Sequence, residues 1–302
     1  MASALTVGER RRQRLRERAI EFVLLAAAAS SVFVTLSIVG VLIFESIGFF
    51  RSVPITEFLF GTVWTPLFAN PRYGILPLLG GTLLSTVVAL LFVAPIGLIT
   101  AIYLSEFASP RTREIIKPIL ELLSGVPTVV YGFFALLFMT PFLQTFVPDL
   151  PGFNILSAGI VIGIMIIPYV ASLSEDAMRA VPNNLRDGSL AMGATRLETA
   201  VKVVLPAATS GVAAAFILGI SRAVGETMIV AIAAGQQPNL TIDPREPAAT
   251  ITAYIVQVAL GDLPHGSLAY QTIFATGLAL LLLTLVFNIA GFWLRHKFRE
   301  VY

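Results

Sequence analysis

The chain has 302 residues, of which 56% are hydrophobic and 13% charged, with a formal net charge of +2 and a mean hydropathy of +0.85. A water-soluble protein of this size needs far more charge to cover its surface, so the composition specifies an integral membrane protein. It has no cysteine, which excludes disulfides, thiolate metal sites and a cysteine nucleophile, and its two histidines, His265 and His296, lie far apart with no further ligands spaced around them.

A membrane span needs about 20 apolar residues to cross a hydrocarbon layer about 30 Å thick. Six stretches qualify, at 19–44, 78–103, 126–146, 155–173, 207–234 and 268–294. Pro95, Pro127, Pro141 and Pro168 lie in or near them and are tolerated as kinks where neighbours satisfy the freed carbonyls. No ten-residue segments of alternating polarity are visible, so the expected class is all-α rather than a barrel. The basic residues divide unevenly among the connections. Sixteen fall in the N-terminus, the loop carrying Arg111, Arg113 and Lys117, the loop carrying Arg179, Arg186, Arg196 and Lys202, and the C-terminal tail. Only Arg51, Arg72 and Arg245 fall in the alternate loops. The positive-inside rule then places both termini in the cytoplasm.

The expected organisation begins with a basic cytoplasmic N-terminus (1–18), a first transmembrane helix (19–44) and an external loop (45–77) holding Trp64, Phe68 and Tyr73. A transmembrane domain (78–295) follows, then a short cytoplasmic tail (296–302). The arginines before the first span read as a topology signal rather than a nucleic-acid arm. That span is longer than the 7–15 apolar residues of a signal peptide, so it reads as a retained helix. In the external loop at 235–267, the stretch ATITAYIVQVAL is apolar but too short to span and is expected to form a half-buried or interfacial helix.

The loop at 174–206 carries the most information. Pro182 should end one helix, with Asn183 or Asn184 capping the next. DGSLAMG should form a short helix closed by Gly193 in a left-handed conformation. TRLETAVKVVLP should form a second helix with Leu197, Val201 and Val204 on one face, before Pro206 opens the following span. A helix-turn-helix too polar to insert reads as a docking surface. Glu106, Glu121, Glu175 and Asp176, near the ends of the spans on this side, read as solvated or interfacial charges rather than a catalytic dyad, and no nucleophile–base pair accompanies them. The chain contains no G-x-x-x-x-G-K-[S/T] phosphate loop, so energy must come from a partner or an ion gradient.

These residues resemble the docking loop of permease subunits of binding-protein-dependent ABC importers. That loop reads E-A-A, three residues, G, nine residues, then a branched aliphatic, any residue and L-P. Asp187, Gly188, Ser189, Gly193, Val203, Leu205 and Pro206 stand at the corresponding positions, with DGS in place of EAA. SGVPTVVYGFFAL, PYVASLSEDAMRAVP and SRAVGETM are similar to the phosphate-specific importer permeases of the PstC type, over roughly residues 75–295. The resemblance implies the type I importer fold and a non-enzymatic transport subunit in the lipid of the inner membrane. It further implies a PstA-type permease as heterodimer partner, two ATPase subunits that use the ATP, and an external phosphate-binding protein. No cofactor on this chain and no nucleic-acid partner are implied.

GISRAVGETMIV, at 219–230, places two charges inside an apolar segment, where an ionisable side chain is costly and marks function by default. At 100° per residue, Gly211, Ala215, Gly219, Arg222 and Glu226 share one narrow face, with Ala213, Ile217, Ile220, Val224 and Met228 opposite, suited to lipid. Arg222 and Glu226, four residues apart, are expected to pair. Arg222 lies about 24 Å beyond Pro206, which places the pair past mid-membrane toward the outside. Two readings stay open: a salt bridge that sets helix register, and a charged point on the translocation route where phosphate competes with Glu226 for Arg222. In the resembling family these two positions are linked to translocation. The alternatives are a permease for sulfate or molybdate, where the same docking loop would serve, and a proton-coupled transporter with Glu226 as its relay.

Overall fold

The computed structural model describes residues 7–297. Residues 1–6 and 298–302 lie outside it, and with them Arg299 of the expected tail. Everything described is helix and connection, apart from one isolated bridge between Trp64 and Tyr73. Helix α1 (Val7–Ser52) has 46 residues, so it is about 69 Å long, far more than a hydrocarbon layer requires. It continues past the expected boundary at 44 and stops only before Pro54, because the residue preceding a proline is pushed toward extended backbone.

Helix α2 (Ile55–Phe60) is followed by α3 (Leu76–Ile102), which winds into a π turn over Tyr103–Phe107. Next come α4 (Pro110–Ser124), α5 (Thr128–Phe134), a second π turn (Ala135–Met139), α6 (Thr140–Gln144) and the central helix α7 (Ile155–Arg179). The docking-loop region holds α8 (Asn183–Ala191), α9 (Arg196–Thr199), a third π turn (Ala200–Val204) and α10 (Leu205–Ala207). Helices α11 (Thr209–Val224), α12 (Met228–Ala233), α13 (Ile251–Ala259) and α14 (Leu268–Lys297) complete the chain.

Four described helices are long and apolar enough to cross a membrane: Arg16–Ser52, Leu76–Phe107, Ile155–Arg179 and Leu268–Trp293. The count rises to the expected six if each of two bent pairs is one span. In one, Pro110–Ser124 meets Thr128–Gln144 at 88°; in the other, Arg196–Ala207 meets Thr209–Val224 at 74°. The bends separate a polar helix from an apolar one, so the expected third and fifth spans begin after a sharp turn.

The core forms around α7, whose small residues admit α3. A side-chain carbon on Gly159 would sit 2.6 Å from Val88, and one on Gly163 would sit 3.0 Å from the carbonyl of Ala89. Without a hydrophobic drive between helices in lipid, such close backbone approach is what holds the pair. Helix α1 is the opposite case: its apolar window is fully exposed at the periphery, and it lies beside α14.

The two ends of the bundle are built differently. At one end, the C-termini of α3 and α7 gather with α4 and α8, linked by ion pairs. At the other, α2 and the loop to Tyr73 cap α13 and α14 with an aromatic cluster of Phe49, Phe58, Trp64, Tyr73 and Tyr254. Helix α13 buries Ile251, Thr252, Ala253, Tyr254 and Val258, so the short apolar stretch is half-buried against the protein, one of the two expected outcomes.

Candidate functional site

The loop from α7 to α11 folds as two short helices, as its turn chemistry requires. Pro182 stands just before α8, and Gly193 has φ +87°, the left-handed backbone that glycine adopts without steric cost. Thr195 and Glu198 form a capping box at the start of α9: the Thr195 hydroxyl accepts from the Glu198 N–H, while the Glu198 carboxylate accepts from the Thr195 N–H at 3.0 Å. That backbone N–H, the Thr195 hydroxyl and Lys202 hold the Glu198 carboxyl below its usual range. Ser189 and Thr199 join the two helices through their hydroxyls at 2.9 Å.

The expected apolar face of the second helix does not hold. Val204 is buried, but Leu197 and Val201 are exposed, because the π turn at Ala200–Val204 changes the phase between them. Asp187, Gly188, Gly193 and Pro206 are exposed, and Ser189, Val203 and Leu205 are half-buried. Leu190, Met192 and Leu197 stand out of this loop, Met192 with 89% of its surface uncovered.

Beneath the loop the charges are organised more tightly than the sequence suggests. Glu175, expected as a solvated or interfacial charge, is fully buried. Arg113 pairs with its Oε1 at 2.8 Å and Lys117 with its Oε2 at 2.9 Å, while Arg179 approaches Oε1 at 3.7 Å. A buried carboxylate needs such compensation. Lys117 also reaches the exposed Asp176 at 2.7 Å. Glu106, 11% exposed, pairs with Arg186 of α8. Glu121 is exposed, and among the described residues no ion pair reaches it. Arg113 and Lys117 stand some sixty residues before Glu175 in the chain, so only their basic character is legible there, whereas Arg179 is one helical turn away.

The small-residue face of α11 is placed as expected. A side-chain carbon on Gly211 would lie 2.4 Å from that of Ala177, and one on Gly219 would lie 3.1 Å from Ile166 and Val170, so both face α7. The opposite face is not a simple lipid surface, since Ile217 packs against Gly291 of α14 and Val224 is buried.

The ion pair between Arg222 and Glu226 is not made. Helix α11 ends at Val224 and a break at 225–227 precedes α12, so Glu226 leaves the helical phase on which the pairing depends. Glu226 is buried and turns back on the break. Its Oε1 accepts from the N–H groups of Met228 at 3.1 Å and Ile229 at 3.3 Å, and its carbonyl accepts from the Thr252 hydroxyl at 2.6 Å. It caps α12 and ties the break to α13. Arg222 instead lies over the ring of Tyr169, 4.3 Å from the centroid, and its buried Nε has no hydrogen-bond partner.

Tyr169 is fourteen residues from the start of α7 and ten from its end, so Arg222 meets α7 near the middle of that helix. Tyr169 was missed as a site residue; its only sequence signal is its place after Pro168 in PYVASLSEDAM. Among the described residues, no three His, Cys, Asp or Glu side chains gather as metal ligands.

An all-helical bundle with several membrane-length apolar helices, a polar two-helix loop bearing exposed apolar side chains and a half-buried arginine stacked on a tyrosine together describe a multi-pass membrane component. The family model for the binding-protein-dependent transport system inner membrane component matches residues 93–300, and the chain belongs to that family. It is 38% identical over 231 residues to the probable ABC transporter permease YqgH of Bacillus subtilis, covering 76% of this chain and 74% of that protein. It is 32% identical over 255 residues to the phosphate transport system permease PstC of Xylella fastidiosa, covering 78% and 75%. A bacterial ABC transporter involved in the import of the acidic polysaccharide alginate has the same fold, with a TM-score of 0.63 at 16% identity over 95% of this chain and all of that one. The chain is therefore an ABC importer permease subunit of the type I fold, a multi-pass inner membrane protein and a transport component rather than an enzyme.

Proposed function

We propose that this subunit carries inorganic phosphate across the membrane by alternating access, driven by ATP hydrolysis in partner subunits. The observation that carries the reading is Arg222: a guanidinium stacked on Tyr169 near the middle of α7, its Nε unpaired. A planar fork of N–H donors suits the oxygens of a tetrahedral anion. A cation–π contact is worth about 0.5–2 kcal/mol, so it holds the side chain in place and leaves its donors free for a passing ligand. Weak, exchangeable contact is what transport requires of a binding point along a route. Phosphate as the substrate is supported by the PstC relative and by the likeness of the SEDA and GETM segments.

In this reading Glu226 does not compete with phosphate for Arg222. It holds the break after α11, and so sets where the arginine sits. A proton relay through Glu226 is disfavoured for the same reason, since Oε1 is taken up by the α12 backbone.

The α8–α9 loop faces the cytoplasm together with both termini, and Leu190, Met192 and Leu197 dock an ATPase subunit there. A PstA-type permease completes a heterodimer, two ATPase copies use the ATP, and an external phosphate-binding protein delivers the anion to the aromatic end. The chain itself holds no cofactor.

Reconstituted vesicles containing the four kinds of subunit, supplied with ATP, should take up phosphate in preference to sulfate or molybdate. Arg222→Gln at normal membrane abundance should lower uptake at least about tenfold, the loss of one charge-assisted anion contact. Wild-type rates in that variant would remove Arg222 from the route, and preference for sulfate or molybdate would reassign the substrate.

A further inference from the structure

Arg186 occupies the position just before Asp187 in the docking loop, yet it does not face outward with its neighbours. It is 16% exposed, and its guanidinium joins three segments. Its Nε donates to Glu106 Oε2 at 3.1 Å and its Nη2 to Glu106 Oε1 at 3.0 Å, a two-pronged pair. Nη2 also donates to the Met178 carbonyl at 2.8 Å, and Nη1 donates to the Val181 carbonyl at 2.6 Å. One side chain of α8 thus grips the C-terminus of α7 and, through Glu106, the end of α3. Ser105 steadies the carboxylate with a hydroxyl bond of 2.7 Å to Oε1.

Two features make this contact more than an incidental surface pair. Glu106 lies in the π turn at Tyr103–Phe107, where the extra residue shifts the following side chains by about 100° relative to an unbroken α-helix. The turn of α3 that carries Glu106 is therefore wound differently from the helix it ends. Below the pair, Ala101, Met178, Val181, Val204 and Val212 form a buried apolar cluster with Leu98 and Leu185, which gives the joint a firm base. No side chain of α8 is fully buried, so besides Arg186 the helix is held by the half-buried Leu185 in this cluster and by the Ser189–Thr199 bond.

We infer that the Arg186–Glu106 pair is the link by which displacement of α8 is delivered to α3, making both of them positioning residues for transport. The inference rests on the importer reading given above. A docking helix that moves with its partner does work on the membrane only through contacts that neither slip nor dissolve in water. A half-buried, two-pronged pair backed by carbonyl bonds meets that condition; the exposed Lys202–Glu198 pair at 3.4 Å does not.

The test compares anion imported per ATP hydrolysed in vesicles holding the complete complex, for wild type, Glu106→Gln and Arg186→Lys. Glu106→Gln keeps the side-chain shape and removes the charge. Arg186→Lys keeps the charge and loses the fork. Both should retain the bound ATPase and its hydrolysis while the transport ratio falls roughly tenfold, within the usual range of coupling between sites. An unchanged ratio in both variants would overturn the inference. So would uptake and hydrolysis falling together as the ATPase is lost, because the pair would then only hold the docking surface. If Glu106→Gln lowers membrane abundance, the Arg186→Lys ratio decides. A wild-type complex that carries a different anion would defeat the substrate reading alone, since the ratio can be read with whichever anion is imported.

Discussion

The two ends of the bundle solve the same problem, closing a set of tilted helices, with opposite chemistry. At the aromatic end, Phe49, Phe58, Trp64, Tyr73 and Tyr254 meet edge to face, with Trp64 and Tyr254 centroids 5.0 Å apart. Such contacts depend on shape and are insensitive to salt. At the docking end, Glu175 and Glu106 are surrounded by Arg113, Lys117, Arg179 and Arg186. Ion pairs between long side chains can be re-formed in a second arrangement, whereas interlocked rings must be unpacked. The difference teaches where motion is to be expected: at the charged end, with the aromatic end as the fixed cap.

The largest effect should come from breaking the aromatic cap. Trp64→Ala removes a 2% exposed indole from the cluster and should cost about 4 kcal/mol, read as a lowered melting temperature of the purified complex at any salt concentration. Glu175→Gln attacks the other end. It leaves Arg113 and Arg179 without this carboxylate and Lys117 with Asp176 alone, and should cost about 3 kcal/mol, toward the low end for a broken buried pair because the cations are partly solvated. The two losses part company with ionic strength: added salt should shrink the Glu175→Gln loss and leave the Trp64→Ala loss unchanged. Equal salt sensitivity would erase the contrast between the ends.

A third test lies between them, on the seam of α11 and α7. Gly211→Ala places a carbon 2.4 Å from Ala177 and should cost about 1–3 kcal/mol by forcing the helices apart. Gly219→Ala, with 3.1 Å to Ile166 and Val170, should cost less, and the reverse order would argue that the seam opens elsewhere.

The smallest effect is a pH response in the connection at 235–250. Arg245 donates to Asp243 through its side chain and its backbone, and the pair holds the Asp243 carboxyl down to about 2. A depressed folded-state value means the contribution is present above the ordinary aspartate range and is lost as pH falls toward about 2. The group is exposed, so the loss should be slight, weaker still in salt, and absent in Asp243→Asn; a pH titration of loop proteolysis would measure it.

Much of this architecture is readable in one dimension. Span positions follow from runs of apolar residues, Gly193 from its place after DGSLAM, and the packing face of α11 from glycine and alanine at fourfold spacing. Each depends on residues within a turn or two of one another. The errors share a cause as well. Apolar composition continues across the break at 225–227, so hydropathy carries no mark of it, and a helical phase drawn through the break pairs Arg222 with the wrong partner. The π turns at Tyr103–Phe107 and Ala200–Val204 likewise move side chains without changing composition.

The sequence by itself determined that this is an all-helical membrane protein with a polar two-helix loop before its penultimate apolar stretch, because hydrophobic length and turn chemistry are local properties. Only the tertiary structure decided that Arg222 rests on Tyr169, that Glu226 caps α12, that Glu175 is buried among three cations and that Arg186 holds Glu106. Those choices depend on which distant helices come together. A charged side chain in a low-dielectric interior takes its role from the partner that compensates it, and that partner is set by packing rather than by its neighbours along the chain.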